Sequence, residues 1–210
     1  MTSYPTSDSS VADYSFALAS WVAEAVTVAM ESPCQSKRGV VISSKGGRLI
    51  SRGFNHQPFP FQCDGSDRCK RNCGKTAIHA EQSAILSAHE PLAGAWMLHV
   101  KARDGKPCAS MAPSCLECSK LILVSGIAWM HLLHDPAAQM LPGAEVVGQV
   151  EGFLSDGKTG LLQIRRYNAV HFHWLTAEYC HRIDLILPQP NFSITKVEPH
   201  GTNPDGDRRE

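Results

Sequence analysis

His79, Glu81, Cys115 and Cys118 are residue types that bind and use a metal ion. Two cysteines three positions apart at the opening turn of a helix can bring both sulfurs to one ion, and thiolate plus imidazole suits zinc. The positive end of such a helix favours thiolates. Three protein ligands leave a fourth tetrahedral position for water, which marks a catalytic rather than a closed structural site. Zinc lowers the pKa of that water from about 15.7 towards about 7. His79 and Glu81 point about 200° apart if helical, so they share no open face and meet only at a small object at the helix end. There Glu81 is a carboxylate free to move protons. Read alone, "HAE" means little, and a CxxC pair is equally a structural zinc site, a redox motif or two buried thiols.

A second group of cysteines raises a different possibility. Cys63, Cys69 and Cys73 crowd one segment, and Cys34 precedes a β-rich run. Four thiolates make a closed, structural zinc site. The alternatives are free thiols, or His56 in place of one cysteine. Cys108 and Cys180 have no evident partner and read as structural. His171 and His173 lack the nearby cysteine or carboxylate that a third metal site needs.

These residues must be positioned by a scaffold. Residues 1–10 are rich in Ser, Thr and Pro and read as loose. The run 11–32 spaces Phe16, Leu18, Val22, Ala25, Val26 and Met30 as in a largely buried helix, with Asp8 or Ser9 as a cap. Residues 38–55 form two β-rich runs around "SKGG", a hairpin. Residues 56–74 show no period and read as a long loop that something must pin. A helix is predicted over 76–88 with Thr76 as N-cap, and a strand over 95–103. A helix follows over 114–126, opening at Ser114 and ending at Gly126. A buried strand covers 127–133, with Trp129 and His131 on one face as pocket or core residues. Two further strands and a last helix follow, and the polar tail 188–210 reads as loose. Alternating strands and helices predict one layered α/β domain over 11–187, with a core at 11–134 and an extension at 135–187. Arg165 and Arg166 are either phosphate ligands or a solvated strand end.

The bulk composition is permissive. The chain has 210 residues, 43% hydrophobic and 19% charged, and its 20 basic and 20 acidic residues cancel. Nothing in the charge argues for a duplex-DNA binder or a membrane-surface protein. No apolar run is long enough to span a bilayer, and the N-terminus lacks a secretory pattern. A cytoplasmic protein is expected, where cysteines stay reduced and serve as metal ligands or buried residues.

"HAE" at 79–81 with "PSCLEC" at 113–118 resembles the H-x-E…P-C-x-x-C signature of the zinc-dependent cytidine/deoxycytidylate deaminase superfamily. The order of elements over 11–134 is similar too. "SPCQSKRGVV" and the cysteine-rich segment before "HAE" look most like the dCMP-deaminase-type branch. The resemblance implies a three-layer α/β/α sandwich around a mixed central sheet. It implies His79, Cys115 and Cys118 as zinc ligands and Glu81 as proton shuttle. It also implies Asn55, Ala80 and the region of Ser114 as substrate contacts. Ser114 is a departure, because the family places proline directly before the first cysteine. The implied activity is hydrolysis of a C–N bond in a cyclic amidine: a cytosine-type nucleoside or nucleotide goes to its uracil-type product with release of ammonia. Such proteins often form homo-oligomers. Two alternatives stay open: a deaminase of single-stranded polynucleotide or another amino-heterocycle, and a non-catalytic zinc-stabilised binding module. The aromatic content of 7% gives little sign of a base-stacking groove.

Overall fold

The computed structural model describes residues 8–110 and 114–186. Its elements are α1 (Asp8–Met30), β1 (Lys37–Ser43), β2 (Leu49–Phe54), α2 (Asp67–Thr76), α3 (Ala80–Leu86), β3 (Trp96–Arg103) and β4 (Lys106–Cys108). After these come α4 (Leu116–Val124), β5 (Trp129–His134), β6 (Glu145–Phe153), β7 (Thr159–Asn168) and α5 (Ala169–Ile186). The architecture is an α/β/α sandwich on a mixed seven-stranded sheet. Among the described residues no helix is long and apolar enough to cross a membrane.

Two apolar cores lie on opposite faces of the sheet. Leu18, Val22, Ala25, Val26 and Ala29 recur at helical spacing along one stripe of α1 and pack on Val41, Leu98 and Val100. On the other face, Ala80, Ala84 and Ile122 from α3 and α4 join Val40, Met97, Met130 and Phe172. The strands alternate accordingly, with Leu98 and Val100 turned to α1 and Met97 turned to α3 and α4.

The hairpin glycines seat both layers. A Cβ on Gly39 would lie 2.1 Å from the Ala25 carbonyl oxygen, and one on Gly53 would lie 2.3 Å from the Ala84 nitrogen. Both obstacles are backbone, which cannot swing aside. Ser51 adds a bond from its hydroxyl to the Ala84 carbonyl at 2.8 Å. Since α3 carries Glu81, Gly53→Ala is expected to lower stability by about 1–3 kcal/mol through overpacking and to reduce any activity of the site. A denaturant melt of the variant unchanged from wild type would contradict this.

The sheet is closed more tightly than the sequence suggests. β3 pairs in parallel with β5 over Trp96–His99 and antiparallel with β4 over Lys101–Arg103. Asp104 and Gly105 link β3 to β4 with φ of 51° and 71°, the left-handed pair that a two-residue hairpin turn requires. β6 and β7 then join β4 to β5, so the extension after 134 completes the sheet.

Several boundaries differ from the sequence reading. Residues 8–10 are helical, not loose, and residues 1–7 lie outside the described residues, as does the predicted tail at 188–210. The predicted long loop over 56–74 gives way at Asp67 to α2, which runs on to Thr76. Thr76 is the last residue of that helix, and the N-cap of α3 is His79. Cys115, not Ser114, is the N-cap of α4. Gly126, at φ 79°, closes α4 as predicted.

Arg165 and Arg166 do not form a solvated strand end, nor do they face a phosphate site. Arg165 is 1% exposed and donates to the Asp135, Ala138 and Gln139 carbonyls and to Gln163. It pins the loop after β5. Arg166 lies 4.4 Å over the Trp129 ring and pairs with Glu145.

His131 and His134 are buried in β5. Burial holds both imidazoles at about 4, against an ordinary 6.5. As pH falls below about 6.5, the unfolded chain binds protons that the folded one refuses. Stability should therefore fall with pH between about 6.5 and 4, by about 1.4 kcal/mol per pH unit for each ring. Urea midpoints that stay flat between pH 7 and pH 5 would refute this.

Candidate active site

The starts of α3 and α4 meet over the sheet. His79 caps α3 in extended conformation, φ −74° and ψ 156°. Its backbone N–H donates to Gln82 Oε1 at 2.9 Å, which fixes the first turn. Cys115 caps α4, and its sulfur accepts from the Cys118 N–H at 3.4 Å. Packing of α3 and α4 on the same face of the sheet brings together these residues, 36 positions apart in the chain.

His79 Nδ1 lies 3.3 Å from both Cys115 Sγ and Cys118 Sγ. All three donor atoms fall within 4.8 Å of one another. Tetrahedral zinc with ordinary Zn–S and Zn–N bonds needs N···S separations of roughly 3.6 Å. The donor set and its spacing therefore fit zinc. The Cys118 thiol, the His79 ring and the Cys118 N–H draw the Cys115 thiol down to about 4 against the opposing effect of burial. Cys118 is pushed up, because it donates to Cys115 and is buried. His79 is raised, chiefly by its bond to Cys115.

Glu81 is buried beside this cluster at 3% exposure. Burial alone would raise its carboxyl. His99, the Ser114 hydroxyl, the Glu81 backbone N–H and His79 together outweigh it, leaving the group below its ordinary value. Ser114 Oγ donates directly to Glu81 Oε1. Ser114 thus holds the carboxylate rather than capping the helix.

A cavity of about 480 Å³ opens onto these groups. Asn55 and Ala80 both line it. The Asn55 amide is taken up by the backbone: Oδ1 accepts from the Arg38 N–H at 2.8 Å, and Nδ2 donates to the Ser36 carbonyl at 2.9 Å. It ties the end of β2 to the start of β1 at the cavity edge. Arg38, His99 and Lys101 also line the cavity and escaped the sequence reading. The signal was available in "MLHVK", where alternation sets Met97, His99 and Lys101 on one face. Arg38 and Lys101 form no ion pair among the described residues.

The second cysteine group reaches the same cavity. Cys34, Cys63 and Cys73 have sulfurs within 4.8 Å of one another, and all three line the wall. Cys63 and Cys73 sulfurs are 4.0 Å apart, and Gln57 Nε2 donates to Cys73 at 3.0 Å. Burial pushes the Cys34 thiol up. Cys69 lies in α2, and its side chain is outside the described residues. His56 Nδ1 is 2.9 Å from the Gln57 carbonyl oxygen rather than in this cluster.

The other sequence candidates whose side chains are described take no part. Cys108 is buried; the Cys180 side chain is not among those described. His171 Nε2 lies 2.5 Å from the Pro142 carbonyl oxygen, and His173 Nδ1 lies 3.0 Å from Ser119 Oγ. His131 Nδ1 bonds the Met97 carbonyl at 3.2 Å, in the core.

Fold and site together define an α/β/α protein with a His–Cys–Cys cluster fit for zinc beside a buried carboxylate. No protein-family model matches the chain, and no curated protein matches it. Several solved structures are similar to part of it, among them the following. The dCMP deaminase of cyanophage S-TIM5 in apo form is 20% identical over 52% of this chain and 76% of its own, with a TM-score of 0.40. The same enzyme in complex with dCMP and dUMP is 21% identical over 60% and 80%, with a TM-score of 0.35. A diaminohydroxyphosphoribosylaminopyrimidine deaminase/5-amino-6-(5-phosphoribosylamino)uracil reductase from Thermotoga maritima is 25% identical over 55% of this chain, with a TM-score of 0.34. This chain matches 28% of the length of that protein.

Proposed function

We propose that the protein is a zinc-dependent hydrolytic deaminase of a cytosine-type nucleoside or nucleotide. One observation carries this reading: a buried carboxylate, Glu81, shares a cavity with a three-donor cluster that fits zinc. Zinc held by His79, Cys115 and Cys118 would supply a Lewis acid and a water of lowered pKa. Glu81 takes one proton from water and delivers it to the ring nitrogen, then takes the second proton from the newly added hydroxyl and delivers it to the departing amine. Water adds its oxygen at the amino-bearing carbon, the C–N bond breaks, and ammonia leaves. Ser114 holds the carboxylate in place. Asn55 and Ala80 form the wall against which the base or sugar rests. Arg38 and Lys101 favour a substrate that carries phosphate.

We assign a structural zinc to Cys34, Cys63 and Cys73, with Cys69 as fourth ligand. It would pin the segment around α2 against the start of β1. We expect a homo-oligomer in the cytoplasm.

The test is ammonia release by zinc-loaded protein over cytidine, deoxycytidine, CMP, dCMP, adenosine, guanine and a cytosine-containing single strand. Turnover of a cytosine monomer, lost in Glu81→Ala, supports the reading. Turnover of the strand alone moves the substrate class to polynucleotide. Zinc binding with no turnover at all supports a non-catalytic module.

A further inference from the structure

The fold buries three histidines in β3 and β5 and satisfies two of them. His131 bonds the Met97 carbonyl, and His134 Nε2 pairs with the Tyr167 hydroxyl at 2.9 Å. His99 is 4% exposed, yet neither of its ring nitrogens has a hydrogen-bond partner among the described residues. Its Nδ1 lies 3.9 Å from Glu81 Oε1, beyond hydrogen-bond range. The ring lines the cavity on the strand face that looks toward α3.

A buried polar group without a partner costs about 1–3 kcal/mol, and a leucine at this position would carry no such penalty. The ring that carries this donor and acceptor lines the cavity, with both nitrogens closed to bulk solvent. An occupant of the cavity can complete them. Burial pulls the imidazole below its ordinary value against the attraction of Glu81, and a neutral imidazole offers one N–H and one lone pair.

We propose that His99 is a substrate-contacting, specificity-determining residue, whose imidazole hydrogen-bonds a polar edge of the bound amino-heterocycle beside Glu81. The identity of that ring rests on the deaminase reading above. The orphaned nitrogens rest on the geometry alone. A site built to bond a polar edge rejects rings that lack it, because the site's own groups are then left unpaired.

The test compares zinc-loaded wild type, His99→Leu and His99→Asn. Its readouts are kcat/KM over the same panel, zinc content and ligand-free melting temperature. His99→Leu is expected to lower kcat/KM about tenfold or more and to change the preference among bases. Its zinc content should be unchanged and its melting temperature equal or higher, since an unsatisfied group has been removed. His99→Asn, which keeps a donor and an acceptor, should recover part of the loss. A His99→Leu protein that melts lower but keeps kcat/KM within about twofold overturns the inference, because the ring then serves packing. Equal losses in both variants also overturn it, since shape alone would explain them. No turnover by wild type on any substrate removes the deaminase reading and the inference with it. Wild-type turnover that His99→Leu retains removes the inference alone.

Discussion

Glu81→Gln should lose about 10²–10⁴ of turnover while keeping its fold and its zinc. The substitution keeps the volume of a side chain that is 3% exposed, and Ser114 can still donate to the amide oxygen. What disappears is the group that accepts and returns protons. Glu81 does not belong to the three-donor cluster, so metal content should not change. The measurement is kcat on the best substrate beside zinc per chain and a thermal melt. A Glu81→Gln protein that keeps wild-type kcat removes the proton-shuttle role. One that loses zinc makes Glu81 a ligand. Ser114→Ala makes the complementary case. It leaves the carboxylate but frees its orientation, and a smaller fall, about tenfold, is expected from the loss of one hydrogen bond to a charged group.

The second large effect is a separation of the two cysteine clusters. Each of the two has at least three donors within 4.8 Å, so zinc-replete protein should carry two zinc ions per chain. Cys115→Ser should remove one of them together with all measurable activity. The fold should survive, because that thiol caps a helix whose first turn serine can also cap. Cys34→Ser should remove the other. Cys34 is buried and reaches over from the start of β1, so this variant should unfold more readily, with activity lost in proportion to unfolded protein. Metal analysis by mass spectrometry and melting curves read both outcomes. One zinc per chain in well-behaved wild type would sink the structural site and leave the catalytic one standing. Loss of both ions on either substitution would show that the clusters, which share one cavity, are not independent.

Much of the site was legible because its geometry is local at each end. A histidine just before a helix and a CxxC at the start of another present their donors whatever the rest of the chain does. The hairpin around "SKGG" and the glycine that ends α4 are equally local, since turn chemistry is written in adjacent residues. The helix 67–76 was not legible. "DRCKRNCGKT" is polar throughout and shows no apolar stripe, so its period is silent. The β3–β4 turn, by contrast, is written locally in Asp104–Gly105.

The sequence by itself determined which residues can hold a metal, which carboxylate stands beside it, and that helices and strands alternate around them. Only the tertiary structure decided that the two cysteine groups face one cavity, because their approach depends on how α2 meets the start of β1. It decided that Ser114 grips Glu81 rather than capping a helix. It decided that Arg165 is buried among carbonyls, a fate no strand-end arginine reveals before the loop after β5 folds over it. And it decided that His99, one of three histidines buried in β3 and β5, is the one left without a partner. That distinction arises from packing between elements distant in the chain, and no local pattern encodes it.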